Sequence, residues 1–189
     1  MTDLRRPVKR FDGRRTGTGF SLIELLVAVL VMGIGVLGVT ALQMVSLQNN
    51  RMALERGEAV SLAYDMMDRI KANPSAAYDG IAIGDVPPAA PGCLGDGANC
   101  SAAQMATFDE SAWKCQLGEF RDDAECDALR AAGVIPAIAE QPGLPDGDGA
   151  VQVQVVVLPN GVQVFQARVT VQWSATDGQL QTVVIDSQA

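Results

Sequence analysis

Two hydrophobic patterns divide this chain. From Phe20 to Leu42 it reads FSLIELLVAVLVMGIGVLGVTAL, apolar all round, with Glu24 its only charge and Thr40 the only polar side chain after Glu24. As a helix rising about 1.5 Å per residue, this run spans roughly 34 Å, close to the thickness of a bilayer core. The apolar part of a secretory signal is shorter, about 7–15 residues. No Ala-x-Ala cleavage site follows either; Gln43, Ser46, Gln48 and Asn49 continue without a break. The pattern predicts a helix retained in the membrane.

Beyond Gln43 the pattern becomes periodic. Ala59, Leu62, Ala63, Met66, Met67 and Ile70 recur at three- and four-residue spacing, while Asp65, Asp68, Arg69 and Lys71 face elsewhere. Asn73-Pro74 ends the run, because a residue before proline is biased away from helix. One helix from Ser21 to Ala72 is expected, about 78 Å long. Gly33, Gly35, Gly38 and Gly57 weaken it by up to about 1 kcal/mol each relative to Ala. Within a membrane such glycines mark close helix packing.

The composition shifts after Pro74. Residues 80–100 are rich in Gly, Pro and Ala and read as loop. Ser101-x-x-Gln104 has the form of a capping box, and Met105, Phe108, Ala112 and Cys115 follow at helical spacing, predicting a short amphipathic helix over 102–117. A second short helix, Asp123 to Ala132, would end at Gly133. The period then changes to two. Val151, Val153, Val155 and Val157 alternate with polar residues, as do Phe165, Ala167, Val169, Val171 and Trp173, and Leu180 to Asp186 supplies a third strand. Pro159-Asn160-Gly161 and Thr176-Asp177-Gly178 are the turns between them. A three-stranded antiparallel meander with one apolar face needs a cover, and the Ala59–Ile70 stripe is suited to it.

Charge sharpens the division. The net charge is −8, from 22 acids and 14 bases. Residues 1–19 hold six bases (Arg5, Arg6, Lys9, Arg10, Arg14, Arg15) against Asp3 and Asp12, a net of +4, which leaves −12 for residues 20–189. Under the positive-inside rule the basic leader stays in the cytoplasm and the remainder faces the far side, the periplasm in a bacterium. An acidic chain repels phosphate backbones, so no nucleic-acid partner is expected. The chain has no histidine, which removes Ser-His-Asp and Cys-His catalysis and His-containing zinc sites. Asp65 with Asp68, and Asp122, Asp123, Glu125 and Asp127, read as solvated acidic faces rather than a catalytic or calcium site, since the second cluster lacks EF-hand spacing. No enzymatic activity, metal or cofactor is expected.

The four cysteines lie at Cys93, Cys100, Cys115 and Cys126, with no C-x2-C spacing for zinc. Four cysteines allow three pairings, and the sequence leaves the choice open. The favoured one joins Cys93 to Cys100, pinning a Gly-rich loop, and Cys115 to Cys126, tying the two short helices. A periplasmic location favours such structural staples over a redox pair.

Glu24 stands out, because a carboxylate at membrane depth costs a few kcal/mol and asks for a partner. Its setting is Gly19-Phe20-Ser21-Leu22-Ile23-Glu24 after a basic leader. This resembles the class III signal of type IV prepilins: basic leader, Gly, then Phe-[Ser/Thr]-Leu-x-Glu opening a hydrophobic helix. The resemblance implies cleavage by prepilin peptidase between Gly19 and Phe20, N-methylation of Phe20, and a Glu24 that pairs with the new amine of a neighbouring subunit. It also implies an α+β, type IV pilin-like fold. The domain plan would be a leader (1–19), a transmembrane and filament-core helix (20–42), its amphipathic continuation (43–73), and a periplasmic headpiece (74–189) with strands over about 150–187. Leu62-Ala63-Tyr64-Asp65-Met66-Met67-Asp68-Arg69-Ile70-Lys71-Ala72-Asn73-Pro74, the block Cys100 to Asp109 with Trp113-Lys114, and Leu144-Pro145-Asp146-Gly147-Asp148-Gly149 resemble the PilV-type minor pilins of the type IV pilus. They imply a structural role in starting or capping a pilus, and so in adhesion and twitching motility. Implied partners are the peptidase, other minor pilins, the major pilin, the inner-membrane assembly platform, and lipid before assembly. A minor pseudopilin of a type II secretion system is the alternative. The chain departs from the family in a long leader, in Ala41 where many major pilins have Pro, and in residues 115–142, a local elaboration.

Overall fold

The computed structural model describes residues 19–78, 80–93, 99–157, 159, 161, 163–175 and 178–188. The basic leader before Gly19, residues 94–98 of the Gly-rich loop, and the turn residues Asn160, Thr176 and Asp177 lie outside the described residues. Six elements follow in order: α1 (Leu22–Ala72), α2 (Ala102–Leu117), α3 (Ala124–Ala131), β1 (Asp148–Val157), β2 (Gln163–Ser174) and β3 (Leu180–Gln188). The chain forms two compact units, one ending at Val45 and one running from Ser46 to Ala189.

The first unit is the opening part of α1. Every residue from Gly19 to Val45 is exposed, and the helix carries a stretch long and apolar enough to cross a membrane. Thr40 is satisfied within the helix, its Oγ1 donating to the carbonyls of Val36 (2.8 Å) and Leu37 (3.0 Å). The helix runs unbroken through Gly33, Gly35 and Gly38. Among the described residues, no atom lies where a Cβ at these glycines would reach, other than the helix's own backbone. With Ala at position 41, no proline removes a backbone donor there.

The second unit is built on a sheet in the order β1-β2-β3, all antiparallel. The register sets Val151 opposite Val169 and Val169 opposite Ile185, so one face is apolar across all three strands. The α1 stripe Ala59, Leu62, Ala63, Met66, Met67 and Ile70 is buried in one core with Tyr78, Trp113, Val151, Val169, Val171 and Trp173. A long helix packed on a small antiparallel sheet is the α+β architecture expected of the type IV pilin fold. Each large apolar side chain buried there is worth about 1.5–3 kcal/mol.

The helix α2 starts at a complete capping box: Ser101 Oγ accepts from the Gln104 amide at 3.3 Å, and Gln104 Oε1 accepts from the Ser101 amide at 3.0 Å. Its burial differs from the single apolar face that the spacing predicts. Ala106, Trp113 and Leu117 enter the main core. Ala112 and Cys115 enter a second one with Cys126, Leu129 and Ile135, against which Phe108 is partly buried. Met105 is at the surface. The physical reason is that α2 lies between two cores, so a template with one wet side does not describe it. The helix ends at Gly118, whose φ of 128° favours glycine, and an added Cβ would collide with the Leu144 carbonyl. Gly149 leaves the space that the Trp113 ring fills.

Candidate functional site

The sequence-predicted processing motif sits at the start of α1. Ser21 precedes the helix, and its carbonyl accepts from the amides of Glu24 (3.0 Å) and Leu25 (3.2 Å). The peptide unit between Gly19 and Phe20 therefore lies outside the helix, ahead of its first turn. An added Cβ at Gly19 would meet nothing within 4 Å, and Phe20 is 82% exposed. Glu24 is the one acid in the first turn, where the helix dipole favours a negative charge. It makes no ion pair among the described residues. The Gly19–Phe20 bond is thus exposed and precedes an exposed apolar helix with one acid in its first turn.

Two comparisons bear on this geometry. Residues 14–40 match the family described as Prokaryotic N-terminal methylation motif. Residues 41–111 match the family described as Type IV pilin Tt1218. The two run without a gap over more than half of the chain. The chain is a type IV pilin-like protein. No curated protein and no solved structure matches it. The methylation motif implies processing by a prepilin peptidase and assembly with other pilins, and the exposed apolar helix fits a membrane-anchored pilin. Pilins of this kind are structural proteins.

In this pilin-like chain the headpiece is pinned by polar contacts that sequence patterning missed. Lys114 is 0% exposed, and its Nζ contacts Asp148 Oδ1 and donates to the Ala82 carbonyl at 2.8 Å. The same ammonium lies 5.3 Å from the centroid of the Phe120 ring. Asp148 also accepts from the amides of Gly84 and Gly149, each at 2.6 Å. This buried pair ties α2, the 81–85 loop and the start of β1 together. Nothing in the period around Lys114 marks it as internal, because a lysine between Trp113 and Cys115 reads as the wet side of an amphipathic helix.

A second network joins the end of α1 to α2. Arg69 bonds Asp65 (2.9 Å) and Asp109 (3.0 Å). Tyr78 donates to the other Asp109 oxygen at 2.7 Å, and Asn73 donates to Tyr78 (3.2 Å) and to the Ala102 carbonyl (2.8 Å). Burial, then the Asp109 carboxylate, raises the Tyr78 pKa above its ordinary value, so the phenol stays protonated and donating. Burial works against the Arg69 charge, but Asp65 and Asp109 outweigh it and raise its pKa. Elsewhere on α1, burial and then neighbouring Glu55 raise the Glu58 pKa.

Three residues of the acidic cluster around α3 make structural contacts. Asp123 caps α3 by accepting from the Glu125 amide at 2.9 Å. Glu125 accepts from the Ala90 amide at 2.8 Å, and Asp127 pairs with Arg130 at 3.4 Å. Among the described residues, no group of three or more His, Cys, Asp or Glu could hold a metal. The structure pairs Cys93 with Cys100, and Cys115 with Cys126, with Cα–Cα distances of 5.2 Å. The first closes the loop containing residues 94–98. The second lies buried in the smaller core and links α2 to α3.

Proposed function

We propose that this chain is a minor pilin of the PilV type that helps to start or cap a type IV pilus, and so supports adhesion and twitching motility. In this reading prepilin peptidase cuts between Gly19 and Phe20, and the new N-terminal Phe20 is methylated. Residues 20–42 hold the protein in the inner membrane as a single pass, with the leader 1–19 cytoplasmic and the headpiece 74–189 periplasmic. Residues 43–73 carry the helix into the headpiece. The subunit then leaves the lipid for the pilus, where it meets other minor pilins, the major pilin and the assembly platform.

The observation that carries the reading is the uncovered apolar helix with Glu24 in its first turn and no ion-pair partner among the described residues. Cleavage frees a positive amine beside an apolar rod. In low dielectric, an amine and a carboxylate from adjacent subunits are each costly alone and favourable together. Their pairing selects one axial register for the incoming subunit.

The test combines two variants. Gly19→Ala should leave the protein in membranes at its full mass, while the unaltered protein has the mass of a chain beginning at a methylated Phe20. Glu24→Ala should be processed normally yet be missing from sheared pili by immunoblot. An unaltered protein that still begins at Met1 in piliated cells refutes the processing step, and normal incorporation of Glu24→Ala refutes the docking step.

A further inference from the structure

The Lys114 side chain is 0% exposed and that of Asp148 9%, with Nζ in contact with Oδ1. Their surroundings are apolar and tightly filled. The Phe120 ring lies 5.3 Å from Nζ, and a Cβ on Gly149, the residue after Asp148, would strike the Trp113 ring and reach Leu117. Two full charges held in such a place carry a desolvation cost that can exceed their attraction. An amine and a carboxyl fixed in contact also escape the entropy cost that keeps the two apart in solution. Buried from water, an amide formed between them is protected from hydrolysis.

The contacts around the pair already suit an amide, which has one N–H to donate and one carbonyl to accept. Nζ donates to the Ala82 carbonyl at 2.8 Å. Oδ2, the carboxylate oxygen away from Nζ, accepts from the Gly84 amide at 2.6 Å. That N–H is placed to stabilise negative charge developing on Oδ2 when the carbon becomes tetrahedral. Oδ1, the oxygen nearer the amine, accepts from the Gly149 amide at 2.6 Å.

We infer that Lys114 and Asp148 condense into an intramolecular amide, a covalent staple between α2 and β1. One proton passes from Nζ to Oδ1, leaving a neutral amine beside a carboxylic acid. The Nζ lone pair attacks Cγ, a C–N bond forms, and Oδ2 takes the negative charge beneath the Gly84 amide. The Cγ–Oδ1 bond then breaks. Oδ1 leaves as water, carrying the first proton and a second from Nζ. The last N–H keeps its bond to the Ala82 carbonyl, and Oδ2 keeps its bond to Gly84. The step consumes no other reactant. It joins positions 34 apart in sequence, and reductant that opens Cys115–Cys126 leaves it closed. The bond belongs to the headpiece itself and forms whether or not the chain enters a filament.

The experiment is mass spectrometry of the full-length protein extracted from its native membrane, reduced and denatured. Whatever its N-terminus, the chain should weigh one water less than its sequence. Trypsin should fail to cut after Lys114 and should release a branched peptide, residues 72–121 joined through Lys114 to Asp148 of residues 131–168. Asp146-Gly147 and Asp148-Gly149 can also lose water, by closing succinimide rings on their own backbone, so two variants separate the sources. Lys114→Arg should restore the full mass, because it removes the attacking amine, whereas a succinimide persists. Asp148→Asn should lose ammonia in place of water, because the same attack expels the amide nitrogen. The inference is overturned by an unaltered protein with its full sequence mass, by cleavage after Lys114, or by a water loss that survives in Lys114→Arg. Where a variant fails to fold, the presence or absence of the branched peptide in the unaltered protein decides alone.

Discussion

The two units handle apolar surface in opposite ways. Up to Val45, α1 is apolar on all sides and every residue of it is exposed among the described residues. From Ala59 to Ile70 the same helix is apolar on one side, and that side is buried under a sheet. The charges follow suit: Glu24 has no ion-pair partner among the described residues, whereas Lys114, Asp148 and Asp109 are buried with theirs. The difference teaches that one part is completed from outside and the other from within. An all-round apolar rod has no inside of its own, so lipid or other helices must cover it. A one-sided helix selects a partner from its own chain.

If that contrast is right, substitutions in the two units should fail in separable ways. The largest effect belongs to Lys114→Ala, which strands Asp148 in the core. It should destabilise the headpiece by about 3–5 kcal/mol, read by denaturant unfolding of the detergent-solubilised protein, with membrane insertion unchanged. Normal headpiece stability would show that Lys114 is not an internal tie. Next in size is Val31→Arg, which should weaken insertion by about 2.5–3.5 kcal/mol, seen as a loss from the carbonate-resistant membrane fraction. Headpiece melting should stay put. A shifted melting temperature would break the separation between the units.

The smallest effect is a pH dependence confined to the headpiece. The Tyr78 pKa is raised in the fold above its ordinary 10.0. The folded state therefore holds the proton more tightly, and this contribution is fully present below about pH 10 and lost as pH rises further. Tyr78→Phe should flatten the fall in stability above pH 10 while lowering stability at pH 7 by about 1 kcal/mol for the lost hydrogen bond. Parallel pH profiles for the two proteins would remove Tyr78 as the cause.

Much of the architecture is local and therefore legible in the residues. The end of α1 is written in Asn73-Pro74, the start of α2 in Ser101 and Gln104, and the meander in alternating valines, because each depends on neighbours within a few positions. The Gly19–Glu24 motif is of the same kind, a short signal ahead of a helix. The mixed burial of α2 was not legible, because the periodic template assumes one wet side and α2 has a core on two. Nor were the side-chain partners of Asp109, Lys114 and Asp148, which lie 31 to 40 positions away from them in sequence.

By itself, then, the order of residues determined the long helix, its change from all-round to one-sided apolarity, the three strands and the pilin-like start, since helix and strand periods and short motifs are properties of adjacent positions. Tertiary structure alone decided which charges are internal and which cysteines meet. Those outcomes depend on distances between segments far apart in the chain, which no local pattern encodes.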